Sequence, residues 1–198
     1  TAYSETERQA KLQSTLVECV QTLYMNSGID GAINQLLEII AHYYCADRSY
    51  IFEFDEDMKM LHNTYEWCAP GIKPEIEFLS NVEMSVIDRW LHFFNTKGEF
   101  YINSLNRDVS EDYDEYKILE QQGIKSLMAA PLRSGDRLVG FMGVDNPQDN
   151  TDMLILMRLV SAFVVNDFQK RETLEQKILR GIGNTFVSIN TVDLVSDT

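Results

Sequence analysis

The spacing of apolar residues predicts a mixed chain, with helices at both ends and strands between them. Residues Glu5–Met25 carry apolar side chains at alternating spacings of four and three, which is typical of one helix face. These positions are Leu12, Leu16, Cys19 and Leu23. A second helix follows, and its apolar face consists of Ile33, Leu36, Leu37, Ile40 and Tyr44. The segment Asp47–Asp55 then alternates, which predicts a strand whose hairpin partner is Met58–Ala69.

In the middle of the chain the predicted helices and strands are shorter and are separated by a polar loop. A helix is predicted over Ser85–Thr96 and a short strand over Glu99–Asn103, followed by a polar, acid-rich loop over Asn106–Glu115. Tyr116 and Leu119 indicate a short helix that ends at a glycine.

Two apolar runs flank a short polar turn near residue 135, which predicts a closing hairpin. Ile124–Leu132 pairs with Leu138–Val144 through Ser134-Gly135-Asp136. Gly140 and Gly143 lie inside the second strand, where glycine usually marks a bulge or a close backbone approach. Asp145-Asn146-Pro147 ends this strand, because proline cannot donate to the ladder.

The C-terminal part reads as one long helix, Thr151–Leu179, whose apolar stripe narrows after Lys170. Phe186–Leu194 then has the pattern of a strand, and we interpret it as the first strand of a following module. The predicted organisation is a domain over residues 1–172, a helical signalling linker over 173–183 and a truncated strand over 184–198.

Composition narrows the class of function. The 198 residues are 44% hydrophobic, which is enough for a substantial core. A formal net charge of −14 opposes binding to nucleic acid and docking on anionic membranes. Three scattered cysteines form neither a disulfide framework nor a zinc motif, and the histidines lack the spacing of a metal pair, so no metal site is predicted. With no signal peptide and no apolar run long enough to span a bilayer, we expect a cytoplasmic setting.

The ending Leu138-Val139-Gly140-Phe141-Met142-Gly143-Val144-Asp145-Asn146-Pro147, after a short basic turn, resembles the last hairpin of GAF domains. The order of predicted elements from about Ser14 to Arg171 is similar to that of the same family. Tyr65-Glu66-Trp67-Cys68-Ala69-Pro70-Gly71-Ile72 resembles the end of the second strand in GAF domains upstream of bacterial GGDEF (diguanylate cyclase) or similar output modules.

The resemblance implies an α+β, PAS-like fold. It has a central antiparallel sheet of five to six strands, terminal helices on one face and a ligand-type pocket on the other. The residues assigned to the pocket are Tyr65, Trp67, Trp90, Phe100, Met128 and Asp145, with Glu66 and Arg89 as further polar groups. Trp67 is predicted to line a cavity against Pro70–Thr96. No cofactor is assigned from the sequence.

Three functions remain open. The first is a sensory and dimerisation module that passes a conformational change to an output domain in the same chain, with a diguanylate cyclase as one possible parent. The second is a ligand-free structural dimeriser. The third is an enzyme, since some GAF-like domains reduce free methionine sulfoxide, and Cys45 with Cys68 would be the pair. Cys68 is also a chromophore-linking candidate, although the signatures that accompany bilin attachment are absent. The interface expected for a homodimer comprises Leu12, Leu16, Cys19, Leu23, Leu174 and Ile178.

Overall fold

A computed structural model describes residues 5–25, 29–149 and 154–193. Six strands form one antiparallel sheet with the spatial order β3-β2-β1-β6-β5-β4. The strands are β1 Arg48–Phe54, β2 Met60–Cys68, β3 Val82–Glu83, β4 Phe100–Ile102, β5 Leu127–Ser134 and β6 Arg137–Asp145. The helices are α1 Glu5–Met25, α2 Ile29–Tyr44, α3 Asp88–Thr96, α4 Leu105–Asp108, α5 Asp114–Gln121 and α6 Ile155–Asp193, and a 3₁₀ turn over Met84–Ile87 precedes α3.

The terminal helices lie on one face of the sheet, as predicted. All five apolar residues predicted for the inner face of α2 are buried, as are Met157, Val160 and Val164 of α6. The hydroxyl of Ser49 on β1 donates to the carbonyl of Leu37 on α2 at 2.6 Å, which ties this helix to the sheet. Helix α1 packs on α2 and buries Cys19 and Leu23.

The opposite face carries a second, aromatic core beneath α3, α4 and α5. Phe52 of β1 stacks on Phe141 of β6 with ring centroids 4.9 Å apart. Trp90 of α3 stacks on Phe100 of β4 at 4.5 Å and lies 5.4 Å from Phe141. Because both strand faces bury apolar side chains, the central strands read as nearly continuous apolar runs in the sequence.

The two glycines of β6 mark close approaches between β6 and β1. A Cβ atom at Gly140 would overlap the carbonyl oxygen of Phe52, and one at Gly143 would lie 2.6 Å from Cε2 of Tyr50. Gly143 therefore leaves room for the Tyr50 ring to lie over the neighbouring strand. The hairpin prediction is also confirmed, since Ser134 pairs with Arg137 at the turn.

The prediction of a strand over Phe186–Leu194 is wrong for its described part, because α6 continues without a break to Asp193; Leu194 lies outside the described residues. A strand without a partner leaves its backbone donors and acceptors unpaired, whereas a helix satisfies them within the segment. The beginning of the predicted helix at Thr151 also lies outside the described residues. The predicted loop over Asn106–Glu115 contains most of the short helix α4 and the first two residues of α5.

The chain divides into two compact units, Thr1–Val165 and Asn166–Thr198. The first contains the sheet and α1 to α5, and the second contains the remainder of α6. Among the described residues, no helix combines the length and the apolar character needed to cross a membrane.

Candidate ligand-binding cavity

A cavity of about 60 Å³ lies on the aromatic face of the sheet, inside the first unit. Its floor is formed by β1, β2 and β6, and its walls by the 3₁₀ turn, α3, α5 and the segment 70–83, which we call the cover segment. Most of its lining is apolar, and the polar exceptions are Arg48, Asn63, Glu66, Glu115, Gln122 and Asp145. A volume of this size corresponds to about two water molecules.

Arg48, the first residue of β1, is the centre of a buried polar cluster. Its Nη1 donates to Oδ2 of Asp145 at 2.9 Å and approaches Oε1 of Gln122 at 3.4 Å. Its Nε lies 3.4 Å from Oε1 of Glu66. The side chains of Arg48, Glu66 and Asp145 are only 2–4% exposed, so the cluster is effectively dry. Buried charges need partners of opposite charge and hydrogen bonds, and Arg48 is the cation that both carboxylates share.

The same cluster fastens the cover segment over the cavity. Nη2 of Arg48 donates to the carbonyl of Lys73 at 2.8 Å. Oε2 of Glu66 accepts the backbone N–H groups of Glu75 and Ile76 at 2.8 and 3.1 Å. Segment 70–83 has little regular structure, so these charge-assisted bonds are what position its middle part. A ligand that engaged Arg48 or Glu66 would compete with them.

Asp145 is the titratable group of this cluster in the neutral range. Burial raises the pKa of its carboxyl to about 7, and Glu66 adds to the rise, while the contacts with Arg48 and Tyr50 oppose it. The hydroxyl of Tyr50 donates to Oδ1 of Asp145 at 2.9 Å. Burial, with the neighbouring Asp145, raises the pKa of Tyr50 well above its ordinary value, so this hydroxyl remains a donor.

Glu115 fixes the opposite wall by joining α5 to α3. Its carboxylate accepts from Nε and Nη2 of Arg89 at 3.1 and 2.8 Å, and from Nε1 of Trp90 at 2.6 Å. The Arg89 guanidinium also lies over the Phe100 ring, 4.9 Å from its centroid. Glu115 thus forms an ion pair with Arg89 that balances its charge, and this pair shapes the cavity wall.

Two buried polar atoms in the cluster lack a hydrogen-bond partner. They are Nε of Arg48 and Oδ1 of Asn63. The orientation of the Asn63 amide is set by its neighbour, because Nδ2 donates to Oε1 of Glu66 at 3.3 Å and a flipped amide would set two acceptors against each other. Oδ1 is therefore a free acceptor in the cavity lining. Buried acceptors are normally satisfied by protein, water or ligand.

The structure brings together only part of the predicted site. Trp90 and Asp145 line the cavity, and Phe100 lies behind Trp90 in the core. Tyr65, Trp67 and Met128 do not line it. Tyr65 is opposite Ile51 on the helix face, Trp67 contacts the His42 ring of α2 at 5.2 Å, and Met128 is opposite Val144.

The cause of the misplacement of Tyr65 and Trp67 is a bulge in β2. The register with β1 shifts between Ile51 and Phe52, so that Thr64 has no opposite residue. One extra residue reverses which side chains point to each face. Before the bulge Asn63 faces the cavity, and after it Glu66 does, while Trp67 faces α2.

Sequence reasoning also missed Arg48, Tyr50 and Asn63 as cavity residues. Arg48 could have been found, because residues two apart in a strand point to the same face, and Arg48 lies two residues before Tyr50 in the predicted strand. Asn63 carried no such signal, since its direction depends on the bulge.

The residues predicted for a dimer interface divide into two groups. Cys19 is fully buried and Leu23 is 7% exposed within a single chain, so neither is free to face a partner. Leu12 and Leu16 are half-buried. Leu174 and Ile178 are 55% and 53% exposed.

The comparisons with known proteins agree on the family. The GAF domain family model matches residues 29–166. A curated relative, the methanogenesis regulatory histidine kinase FilI of Methanothrix harundinacea, is 28% identical over 143 residues. That match covers 70% of this chain but only 16% of the relative, so the chain spans about a sixth of its length.

Solved structures show the same fold at low identity. The phycoerythrobilin-bound GAF domain of a cyanobacterial phytochrome superposes with a TM-score of 0.66 at 14% identity, covering 84% of this chain and 99% of that one. The photosensory core module of Stigmatella aurantiaca phytochrome gives a TM-score of 0.72 at 11% identity, covering 93% of this chain and 41% of that one.

A bilin chromophore does not fit the cavity around Arg48. Pockets for drug-sized ligands measure about 300–1,000 Å³, and a tetrapyrrole is at least that large. The cavity has about 60 Å³, and Arg48 and Glu66 hold the cover segment beside it. Burial, followed by the charge of Glu66, raises the pKa of the Cys68 thiol, which opposes formation of the reactive thiolate. The match over residues 29–166, the antiparallel sheet and its terminal helices lead to one conclusion: this chain belongs to the GAF domain family.

Proposed function

We propose that this chain is the sensory domain of a cytoplasmic signal-transduction protein, and that it binds a small molecule in the cavity around Arg48 and Asp145. The observation that carries the proposal is a mostly apolar cavity with a few convergent polar groups, one of which, Oδ1 of Asn63, is an acceptor without a partner. This combination is typical of small-molecule sites. The kinship with a regulatory histidine kinase supports the sensory role.

The output module of the parent protein is proposed from the same kinship. Because the curated relative is a histidine kinase, we replace the expected diguanylate cyclase by a kinase-type signalling protein. Helix α6 has 39 residues, which corresponds to about 58 Å. We propose that its part beyond the family match, including residues 173–183, connects this domain to the output module.

The experiment for the sensory role uses the whole chain. Native mass spectrometry tests for a co-purified molecule, and a thermal-shift screen tests compounds of a few non-hydrogen atoms, since the cavity is small. A ligand at one hundred times its Kd stabilises the folded state by about 2.7 kcal/mol. Val86→Leu narrows the cavity and is expected to weaken the hit, whereas the same change at exposed Val17 leaves it unaltered. A chain that carries no bound mass and responds to no compound would remove the proposal.

Dimerisation is proposed separately, on the exposed apolar side chains of the helices. Leu174 and Ile178 lie one turn apart on α6 and are both more than half exposed. We propose that they pack against a second copy, with Leu12 and Leu16 of α1 contributing. Ile178→Glu is expected to convert a dimer to a folded monomer in sedimentation velocity, and Thr173→Glu, at an exposed polar position of the same helix, is the matched control. A wild-type monomer at high concentration would contradict the dimer.

The ligand-free dimeriser and the methionine sulfoxide reductase remain the alternatives. The cavity with its unpartnered acceptor favours sensing over the first. The raised pKa of Cys68 disfavours the second, because the thiolate is the nucleophile in such chemistry. A methionine sulfoxide reductase assay with a thiol donor tests this second alternative directly.

A further inference from the structure

The buried cluster contains more negative than positive charge. Arg48 is its one cation, and it faces two carboxylates, Asp145 at 2.9 Å and Glu66 at 3.4 Å. The third buried carboxylate of the cavity, Glu115, has its own partner in Arg89. Among the described residues that line the cavity, the cluster thus lacks one positive charge whenever Asp145 is ionised. Buried charge without compensation is costly, so the cavity favours a ligand that supplies a positive charge.

The buried polar atoms without a hydrogen-bond partner also favour a positively charged ligand. Oδ1 of Asn63 is a buried acceptor that needs a donor, and the amide cannot be flipped without opposing Glu66. The second unpartnered atom, Nε of Arg48, already faces Oε1 of Glu66 at 3.4 Å. The unpartnered acceptor of the cavity lining is therefore Oδ1 of Asn63, while the charge of Glu66 compensates Nε of Arg48.

Four of the lining residues are aromatic, which also suits a cation. Phe52, Trp90 and Phe141 lie together on one side of the cavity, with Tyr50 at its polar end. Aromatic faces attract alkylammonium groups, most strongly where water is excluded. The volume of about 60 Å³ limits such a group to a few non-hydrogen atoms.

We propose that the ligand of this cavity is a small organic monocation, an alkylammonium of two to about four non-hydrogen atoms. Its N–H groups donate to Asn63 and to the carboxylates of Glu66 and Asp145, and its alkyl part contacts the rings of Phe52 and Trp90. This inference rests on the proposed sensory function and specifies the chemical class of its ligand.

Proton binding and ligand binding then compete at Asp145. The charged or titratable groups facing it are Arg48 and Tyr50 from β1 and Glu66 from β2, with Glu115 across the cavity on α5. A cation beside Asp145 favours its ionised form, and the carboxyl has a pKa of about 7 without ligand. Affinity for the cation therefore increases as pH rises from about 6 to about 8 and levels off above.

The test uses the two tryptophans of the intact chain as reporters. The indole N–H of Trp90 is in the cavity wall, bonded to Glu115, whereas Trp67 lies on the helix face and is the internal control. ¹⁵N-labelled protein is titrated with methylammonium and dimethylammonium chloride to about 50 mM, because very small ligands bind weakly. Acetamide, sodium acetate and sodium chloride at equal ionic strength are the comparison probes. We expect that only the ammonium ions change the NMR chemical shift of the Trp90 indole N–H, and that this change saturates.

Asp145→Asn is the matched variant, because it keeps the shape of the side chain and removes its charge. It is expected to weaken methylammonium binding about tenfold or more and to abolish the pH dependence. Saturable shifts with acetamide or acetate would overturn the cation class and leave the proposed sensory site intact. If no probe changes the Trp90 signal, the cation proposal fails. Native mass spectrometry and the thermal-shift screen then test the sensory function independently.

Discussion

Replacing Asp145 by Asn is expected to change the pH dependence of stability in a direction that the buried ion pair alone would not suggest. Burial is the main cause that raises the pKa of this carboxyl from 3.8 to about 7. The folded state then holds the proton more tightly than the unfolded state. This tighter binding of the proton by Asp145 stabilises the folded state fully below pH about 4, and the stabilisation is lost as pH rises through about 7. Asparagine does not titrate, so the variant lacks this loss.

The size of the effect follows from the shift. One pKa unit corresponds to about 1.36 kcal/mol, so a displacement of about three units gives at most about 4 kcal/mol. Coupling to Arg48 and Glu66 reduces the value, and we expect about 2–4 kcal/mol. Loss of one acceptor for Arg48 adds a constant cost to the variant, about 1–3 kcal/mol. That constant cancels when the two proteins are compared across pH.

The assay is urea unfolding followed by tryptophan fluorescence, at pH steps from about 4.5 to about 8. The free energy of unfolding of Asp145→Asn minus that of the wild type should rise by about 2–3 kcal/mol over this range, because the first part of the loss falls below pH about 4.5. Asp57→Asn is the control, because Asp57 is exposed and its hydrogen bond to Lys59 lowers its pKa, so its difference should stay constant. A difference for Asp145→Asn that is constant or falls with pH would refute the reasoning.

Two further substitutions test the packing around the cavity. Trp90→Phe should lower the free energy of unfolding by about 1.5–3 kcal/mol, because Glu115 loses a buried 2.6 Å hydrogen bond. Trp67→Phe should lower it by less than about 1 kcal/mol, and equal losses for the two variants in urea unfolding would contradict the assignment of the two tryptophans to opposite faces of the sheet. Gly140→Ala should cost at least about 3 kcal/mol or prevent folding, since the new methyl group overlaps a backbone carbonyl of the neighbouring strand, and Gly31→Ala in α2, with open space around it, should stabilise by about 0.5–1 kcal/mol in calorimetry.

Most of the fold could be predicted because burial imposes its own period on each element. Helix α1 has the predicted bounds, and every residue predicted for the inner face of α2 is buried. The closing hairpin was recognisable because its turn, Ser134-Gly135-Asp136, interrupts two apolar runs. Where the pattern carried no information about partners, as in residues 186–193, the prediction of a strand failed.

The site could be predicted only in part, for a local and a long-range reason. Locally, the bulge at Thr64 reverses the direction of side chains within β2, and an alternation counted straight through it assigns Trp67 to the wrong face. At long range, Arg48 and Asp145 are 97 residues apart in sequence, and their contact depends on which strands are neighbours. The apolar pattern fixes faces, but it does not fix strand order.

The path by which a ligand signal would leave the cavity is constrained by the alternation of β1 and β6. Arg48 points into the cavity, while the next residue, Ser49, is hydrogen-bonded to Leu37 of α2. Asp145 likewise follows Val144, which is buried on the helix face. A ligand that only rotated the side chains of Arg48 and Asp145 would leave Ser49 and Val144 in place. A signal that reaches the helices therefore has to move the backbone of these paired strands, and slower or faster amide exchange along α2 on ligand binding would report that movement.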